Sequence, residues 1–477
     1  MSVRRGGAIG VVAVALLLAG AAGAGAGPPG KWTRVTSEPQ PANTREIGLE
    51  RTADGTLHVL WTRDAGATEQ VMHRSLAGNA KSLSSSNQLI STPNFVNDSV
   101  DLIATPAGGL RAFFAGVFPA APLPGGYSSV MATAISTTGG ATWTAATAAS
   151  RNAPPGNSAV SAASGIGAAL VGANPISAWG DSGPSEAGFH VGVDPAANDI
   201  SLGGACCEVD PNLAVDSQSG VFGLAYNDLT GAETVLRVTL PLISTDVAPG
   251  SRATWVGQRV GLTGRIGAAG IYAAYGFGKN RFDARPALWR VGAAKAKVLK
   301  TPRDAEQTTL SPAPDGRLWV AWEGADRGKR LFATRTSPSA KRFGSIVAVK
   351  PPKGTSVIHR LNVEGSRGPL DLLALVQRGG DDISYWHQRI VPGLTLAANP
   401  AKVVAGKAIT FKATDAGAAV KQAKVTLKVA GKHVAGSTKA NGTVTLKVPK
   451  GAKPGRYRAT ARKGGYSPGK RRVRVGR

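Results

Sequence analysis

The chain has 477 residues, 42% of them hydrophobic and 6% aromatic, with 62 Gly and a formal net charge of +27. That apolar fraction excludes a disordered chain, and glycine without a three-residue period excludes collagen. The length suits two or three domains, or one large repeat domain with a small companion.

At the N-terminus, Arg4 and Arg5 precede an uncharged apolar run from Ala8 to Ala22. Small-x-small sites follow at Ala22-Gly23-Ala24 and Ala24-Gly25-Ala26. This is the order of a secretory signal peptide over residues 1–26, the run being short for a membrane span. The alternative is a retained N-terminal anchor. No later stretch reaches ~18 consecutive apolar residues. The mature chain is therefore expected to have no membrane span and to be secreted, with association to the cell envelope left open.

Residues 31–392 repeat one pattern: a strand, a turn ending in Gly, and a second strand alternating toward an aromatic. Clear copies run Ile47–Trp61, Val100–Phe114, Asn212–Tyr226 and Thr309–Trp322. Weaker ones lie near Ser161–Trp179, Arg265–Tyr275 and Arg360–Val376. The first two start 53 residues apart, and 362 residues shared among seven copies gives about 52 each. A four-stranded blade needs ~40–50 residues. No long segment of 3.6 period competes. The expectation is an all-β chain whose body is a β-propeller of about seven blades, with six or eight as the counting error. An array of β-sandwiches is the rival, since it shares the short-strand signals.

Beyond the second copy, Ser136-Thr137-Thr138-Gly139-Gly140-Ala141-Thr142-Trp143 resembles the Asp-box of sialidase-like (BNR-repeat) propellers. Ser136, Gly140, Thr142 and Trp143 match, and Thr138 stands where the family has Asp. The resemblance implies a hairpin turn between outer strands of a blade, with Gly at positive φ and Trp in the apolar layer. It implies a structural role and no catalysis.

Aligning Gly55, Gly108, Gly220 and Gly316 places Arg45, Asp98, Asp210 and Glu306 at one position. That position opens the innermost strand, where strands converge on a propeller axis, so these four are the candidate ligand-binding residues of a funnel. The plain alternative is that strand starts favour solvated polar residues. The sialidase resemblance further implies three arginines for a substrate carboxylate, an acid/base Asp and a Tyr–Glu nucleophile pair. Guanidinium forks suit carboxylates. Yet no R-I-P motif lies near the start, Arg45 is a candidate first arginine without the flanking motif, and the three arginines and the Tyr–Glu pair are not assignable. His58 and His73 lie in strand patterns that favour packing over ligation.

Cys206 and Cys207 are the only cysteines and are adjacent. Lone thiols of an exported protein oxidise. A vicinal disulfide is expected, although a trans peptide sets the Cα atoms ~3.8 Å apart against a usual minimum of ~4.4 Å. Adjacent thiolates without a CxxC partner set make no zinc site, and no metal or cofactor is expected.

Beyond the extended Leu394–Pro400, residues 394–477 carry 20 Lys and Arg against the single acid Asp415, a net of +19. The segments VVAGKAITFKAT, AKVTLKVAGK, GTVTLKVP and GRYRATARK alternate as short strands and suit one antiparallel sandwich. Their succession resembles bacterial immunoglobulin-like domains of exported proteins, without a Cys pair. That resemblance implies a spacer or adhesive unit. Its charge should draw polyanions with no preference for nucleic-acid sequence, unless it is only a solvated high-pI surface.

Two functions remain. One is a non-catalytic, exported, monomeric propeller binding glycan, cell-wall polymer or another surface ligand. The other is a sialidase-like, exo-acting glycoside hydrolase with an unrecognised catalytic set. No nucleophile elbow, P-loop, HExxH or Rossmann fingerprint appears.

Overall fold

The computed structural model describes residues 30–36, 46–66, 68–78, 88–92, 95–117, 129–148, 165–181, 188–193, 198–201, 208–229, 234–241, 243–252, 259–280, 283–301, 305–324, 330–380 and 382–476. The expected signal peptide, Arg45 and the Cys206–Cys207 pair lie outside them. Among the described residues there is no α-helix, and hence none long and apolar enough to cross a membrane.

Gly48–Arg51, Leu57–Asp64, Glu69–Leu76 and Gln88–Ser91 form the first four-stranded antiparallel meander. Six more four-stranded sheets follow. Their innermost strands are Phe95–Ala104, Ile166–Val171, Glu208–Val215, Gly261–Arg265, Glu306–Pro312 and Val357–Glu364. Each innermost strand packs against the next, and the seventh packs against the first. A closed ring of radial meanders is a β-propeller, not an array of sandwiches.

The seam is closed by the N-terminus. Thr33–Arg34 is the outermost strand of the seventh sheet, pairing Thr33 with His387 and Arg34 with Trp386. Inside the seam, Arg51 bonds Glu364 at 2.6 Å and also Asp371, both on the seventh sheet. Asp371 accepts further bonds from His387 Nε2 at 2.7 Å and Arg389 Nε at 2.9 Å. All five side chains are buried. Burial, with Arg389 and Arg51 adding to it, pulls the His387 imidazole down to about 3, so it meets Asp371 as a neutral donor.

Sandwiching between neighbours explains the predominantly apolar second strands. In Leu318–Glu323, Trp319 and Ala321 face the seventh sheet while Leu318, Val320 and Trp322 face the fifth. Each such side chain contributes roughly 1.5–3 kcal/mol by leaving water. Near the axis the sheets approach closely. A Cβ on Gly48, Gly167 or Gly261 would lie 2.8, 2.8 or 3.0 Å from the backbone N of Leu102, Leu213 or Leu310 on the following sheet.

Residues 395–476 form two further sheets. Thr395–Asn399, Ala408–Asp415, Ala418–Ala419 and Thr443–Lys447 make one. Lys402–Val404, Gly469–Gly476, Gly455–Arg462, Lys424–Val429 and Lys432–Ser437, in that spatial order, make the other. They enclose a core that includes Phe411, Leu427, Val444, Ala459 and Val473. Asp415, 2% exposed, accepts a bond from Arg335 on the sixth sheet and lies 3.6 Å from Arg317, in the turn before that sheet's second strand. The single acid of this basic segment thus anchors it to the propeller.

Candidate functional site

Innermost strands of the second, fourth, sixth and seventh sheets begin with a register shift. Asp98 lies between Val96 and Val100, Asp210 between Val209 and Asn212, and Glu306 opens the shift that ends at Thr309. The seventh shifts between Ile358 and Arg360. A bulge sets two residues opposite one and re-aims side chains that strict alternation would send elsewhere. Asp210 and Gln307 take φ values of 59° and 45°, a region most side chains avoid. Three of the four aligned positions therefore share one end of the ring. Arg45 falls outside the described residues, and for Asp98 only the backbone is described.

The bulge residues clamp sheets together. Asp210, 3% exposed, accepts a bond from Asn227 Nδ2 at 3.0 Å, and its carbonyl accepts one from Val260 N at 3.4 Å on the fifth-sheet side. Gln307 donates from Nε2 to Glu323 at 3.1 Å and to the Ile358 carbonyl of the seventh sheet at 2.8 Å. Glu306 is half-buried beside them, in register with Glu323.

A residue outside the aligned set dominates the axis. Arg259 stands two residues before Gly261, as Glu46 stands two before Gly48. Its Nη1 donates to Asp101 Oδ1 at 2.9 Å, its Nη2 to the Val100 carbonyl at 2.8 Å, and its backbone N–H to the Glu46 carboxylate. Arg259 leads into the fifth sheet, whereas Glu46 and Asp101 belong to the first and second. Those sheets are not neighbours in the ring, so Arg259 links strands across the axis. Asp101 Oδ2 also accepts from Ala168 N at 2.7 Å, bringing in the third sheet.

Glu46 is 2% exposed, and its Oε2 has no hydrogen-bond partner. Burial outweighs Arg259 and pushes its carboxyl up to about 7. Such a group holds or releases a proton near neutral pH. Burial likewise raises Asp101, against the pull of Arg259. That end of the ring thus brings one cation and two buried carboxyls together across the axis.

The Ser136–Trp143 turn lies elsewhere, between the outer strands Ser129–Ser136 and Thr147–Ala148 of the second sheet. Ser136 Oγ accepts from Gly140 N at 2.8 Å, and Thr138 Oγ1 accepts from Thr142 N at 2.9 Å. Trp143 Nε1 donates to the Gly140 carbonyl at 3.2 Å. Gly140 sits at φ +86°, where a Cβ would overlap the His73 ring. His73 Nε2 is 3.0 Å from His58 Nδ1, and His58 Nε2 is 3.1 Å from Thr52 Oγ1. Burial pulls the two imidazoles down to about 3 and about 4, so both pack as neutral rings. Among the described residues, no group of three His, Cys, Asp or Glu is placed to hold a metal.

No family model and no curated protein matches the chain. Solved structures similar to it include the Dos1 propeller, at TM-score 0.42 and 9% identity, covering 76% of this chain and 95% of that one. Another is the intramolecular trans-sialidase of Ruminococcus gnavus, at TM-score 0.40 and 11% identity, with coverages of 58% and 89%. A third is the Aleuria aurantia lectin in complex with α-methyl-L-fucoside, at TM-score 0.35 and 11% identity, with coverages of 86% and 96%. None is close enough to lend this chain its ligand or activity.

Proposed function

We propose that the chain is an exported, non-catalytic, seven-bladed propeller that binds a glycan or another cell-surface ligand in its axial funnel. An immunoglobulin-like basic domain over residues 394–477 keeps it near an anionic envelope. The observation that supports the reading is the polar cluster that Arg259, Glu46 and Asp101 form across the axis. Polar groups gathered at one end of the ring offer preset donors and acceptors that can orient one end of a ligand. Screening the full chain on a glycan array tests this. Replacing Asp98 and Glu306 together with Ala is expected to abolish binding of any ligand found, with the melting temperature unchanged. Asp210→Ala is a poor probe, because Asn227 would lose its buried acceptor. Retained binding in the double variant would place the ligand elsewhere.

The second reading is a sialidase-like or other exo-acting glycoside hydrolase. It is favoured by a buried carboxyl titrating near neutrality, as a general acid does. Against it, Arg259 already serves Asp101 and backbone carbonyls, leaving no open fork for a substrate carboxylate. Turnover of fluorogenic glycosides that disappears in Glu46→Gln would replace the first reading with this one.

A further inference from the structure

The outer face of the five-stranded terminal sheet is a grid of cations. Register places Lys402, Arg474 and Arg456 in one row, and Arg472, Arg458 and Lys428 in the next. Arg462 faces Lys424 at the far end. These side chains are exposed, while the alternate residues Val403, Leu427, Ala459 and Val473 point into the core. No carboxylate shares the face, since Asp415 is buried at the junction with the sixth sheet.

Paired strands lie ~4.8 Å apart and residues two along ~6.5 Å. Each cation therefore has a like charge directly opposite, an arrangement that destabilises a sheet. Anions laid between the rows relieve that repulsion. Lys402, Arg456 and Arg474 also line a cleft of about 560 Å³ at the end of the grid. Three cationic heads around one recess suit a tetrahedral oxyanion, which accepts in several directions, better than a planar carboxylate. No Phe, Tyr or Trp occupies the outward positions, and Tyr457 packs inward. Bases and sugar rings therefore find no stacking platform.

The geometry points to a linear, ring-free polyphosphodiester of the poly(glycerol phosphate) kind lying across this face, with one phosphate seated between Lys402, Arg456 and Arg474. This inference rests on the envelope-retention part of the proposed function and names its surface and ligand.

The test titrates the full chain against labelled poly(glycerol phosphate), heparin and single-stranded DNA at several salt concentrations. Two triple variants each remove three charges. One is R456Q/R458Q/R474Q on the face; the other is K412Q/K447Q/K450Q, exposed and off it. The wild type should bind poly(glycerol phosphate) tightest. The face variant should lose about tenfold or more at low salt, and its log–log salt slope should flatten by about 2. Its melting temperature should not fall, because repulsion has been removed. The control variant should lose little. Equal losses in the two variants would leave attraction by net charge standing and overturn this face. Tighter binding of heparin or DNA would overturn the ligand. No binding of any of the three at low salt would remove the retention reading as well.

Discussion

At the scale of single residues, the axis leaves no room for change. Adding one methyl at Gly167 puts a Cβ 2.8 Å from the backbone N of Leu213, which cannot swing aside as a side chain does. Gly167→Ala should cost ~1–3 kcal/mol through overpacking. A chemical-denaturation midpoint equal to wild type would show that the ring can widen locally. Proton linkage acts through buried side chains too. His58, His73 and His387 are held at about 4, 3 and 3, below their ordinary 6.5. The unfolded chain therefore binds protons that the folded chain refuses. The stability they contribute is complete above about pH 6.5 and drains as pH falls toward 4 and 3. Glu46 and Glu50, raised by burial from 4.5 to about 7 and about 8, act in the opposite sense, losing their contribution as pH rises from 4.5 through 7 and 8. Three imidazoles outweigh the two carboxyls by one proton, at ~1.4 kcal/mol per proton per pH unit. Urea midpoints should therefore fall modestly between pH 6.5 and 4.5, and a rise over that window would contradict the burial of these imidazoles.

At the scale of elements, legibility followed side-chain contrast. Copies such as LHVLW and LWVAW could be read because large apolar residues recur beside a Gly turn. The third and fifth copies were faint because their innermost strands, IGAALV and GLTGR, are short on large side chains and carry glycine where close approach requires it. Glycine in a sequence reads as a turn, so a strand built on it hides. The turn at Ser136–Trp143 could be read despite the missing Asp, since a Thr138 hydroxyl can accept the Thr142 N–H in its place. Aligning on turn glycines found the bulged strand starts but not their consequence, which is that Asp210 is spent between sheets. Arg259 could not be found at all. Its partners Asp101 and Glu46 lie 158 and 213 positions away, and no local pattern encodes a contact across an axis.

At the scale of the whole molecule, two devices hold the seam: an outer strand from the N-terminus and a buried ion cluster. A chain beginning at residue 37 would keep the cluster and lose the strand. It should melt lower and aggregate, because Ile383–Ile390 would present a bare edge to other chains. Light scattering during a thermal ramp would show this, and a monodisperse truncated chain melting like wild type would contradict it.

The same closure imposes a schedule on synthesis. Thr36 waits for Tyr385, 349 positions downstream, before its hydroxyl receives the backbone bond that seats the strand. At ~5–20 residues per second that interval is on the order of 20–70 s. Throughout it the ring is an open crescent with two complementary ends, and the end of one molecule fits the start of another as well as its own. A swapped dimer is therefore a hazard of birth more than of the finished protein, set by how many nascent crescents share the same space at once.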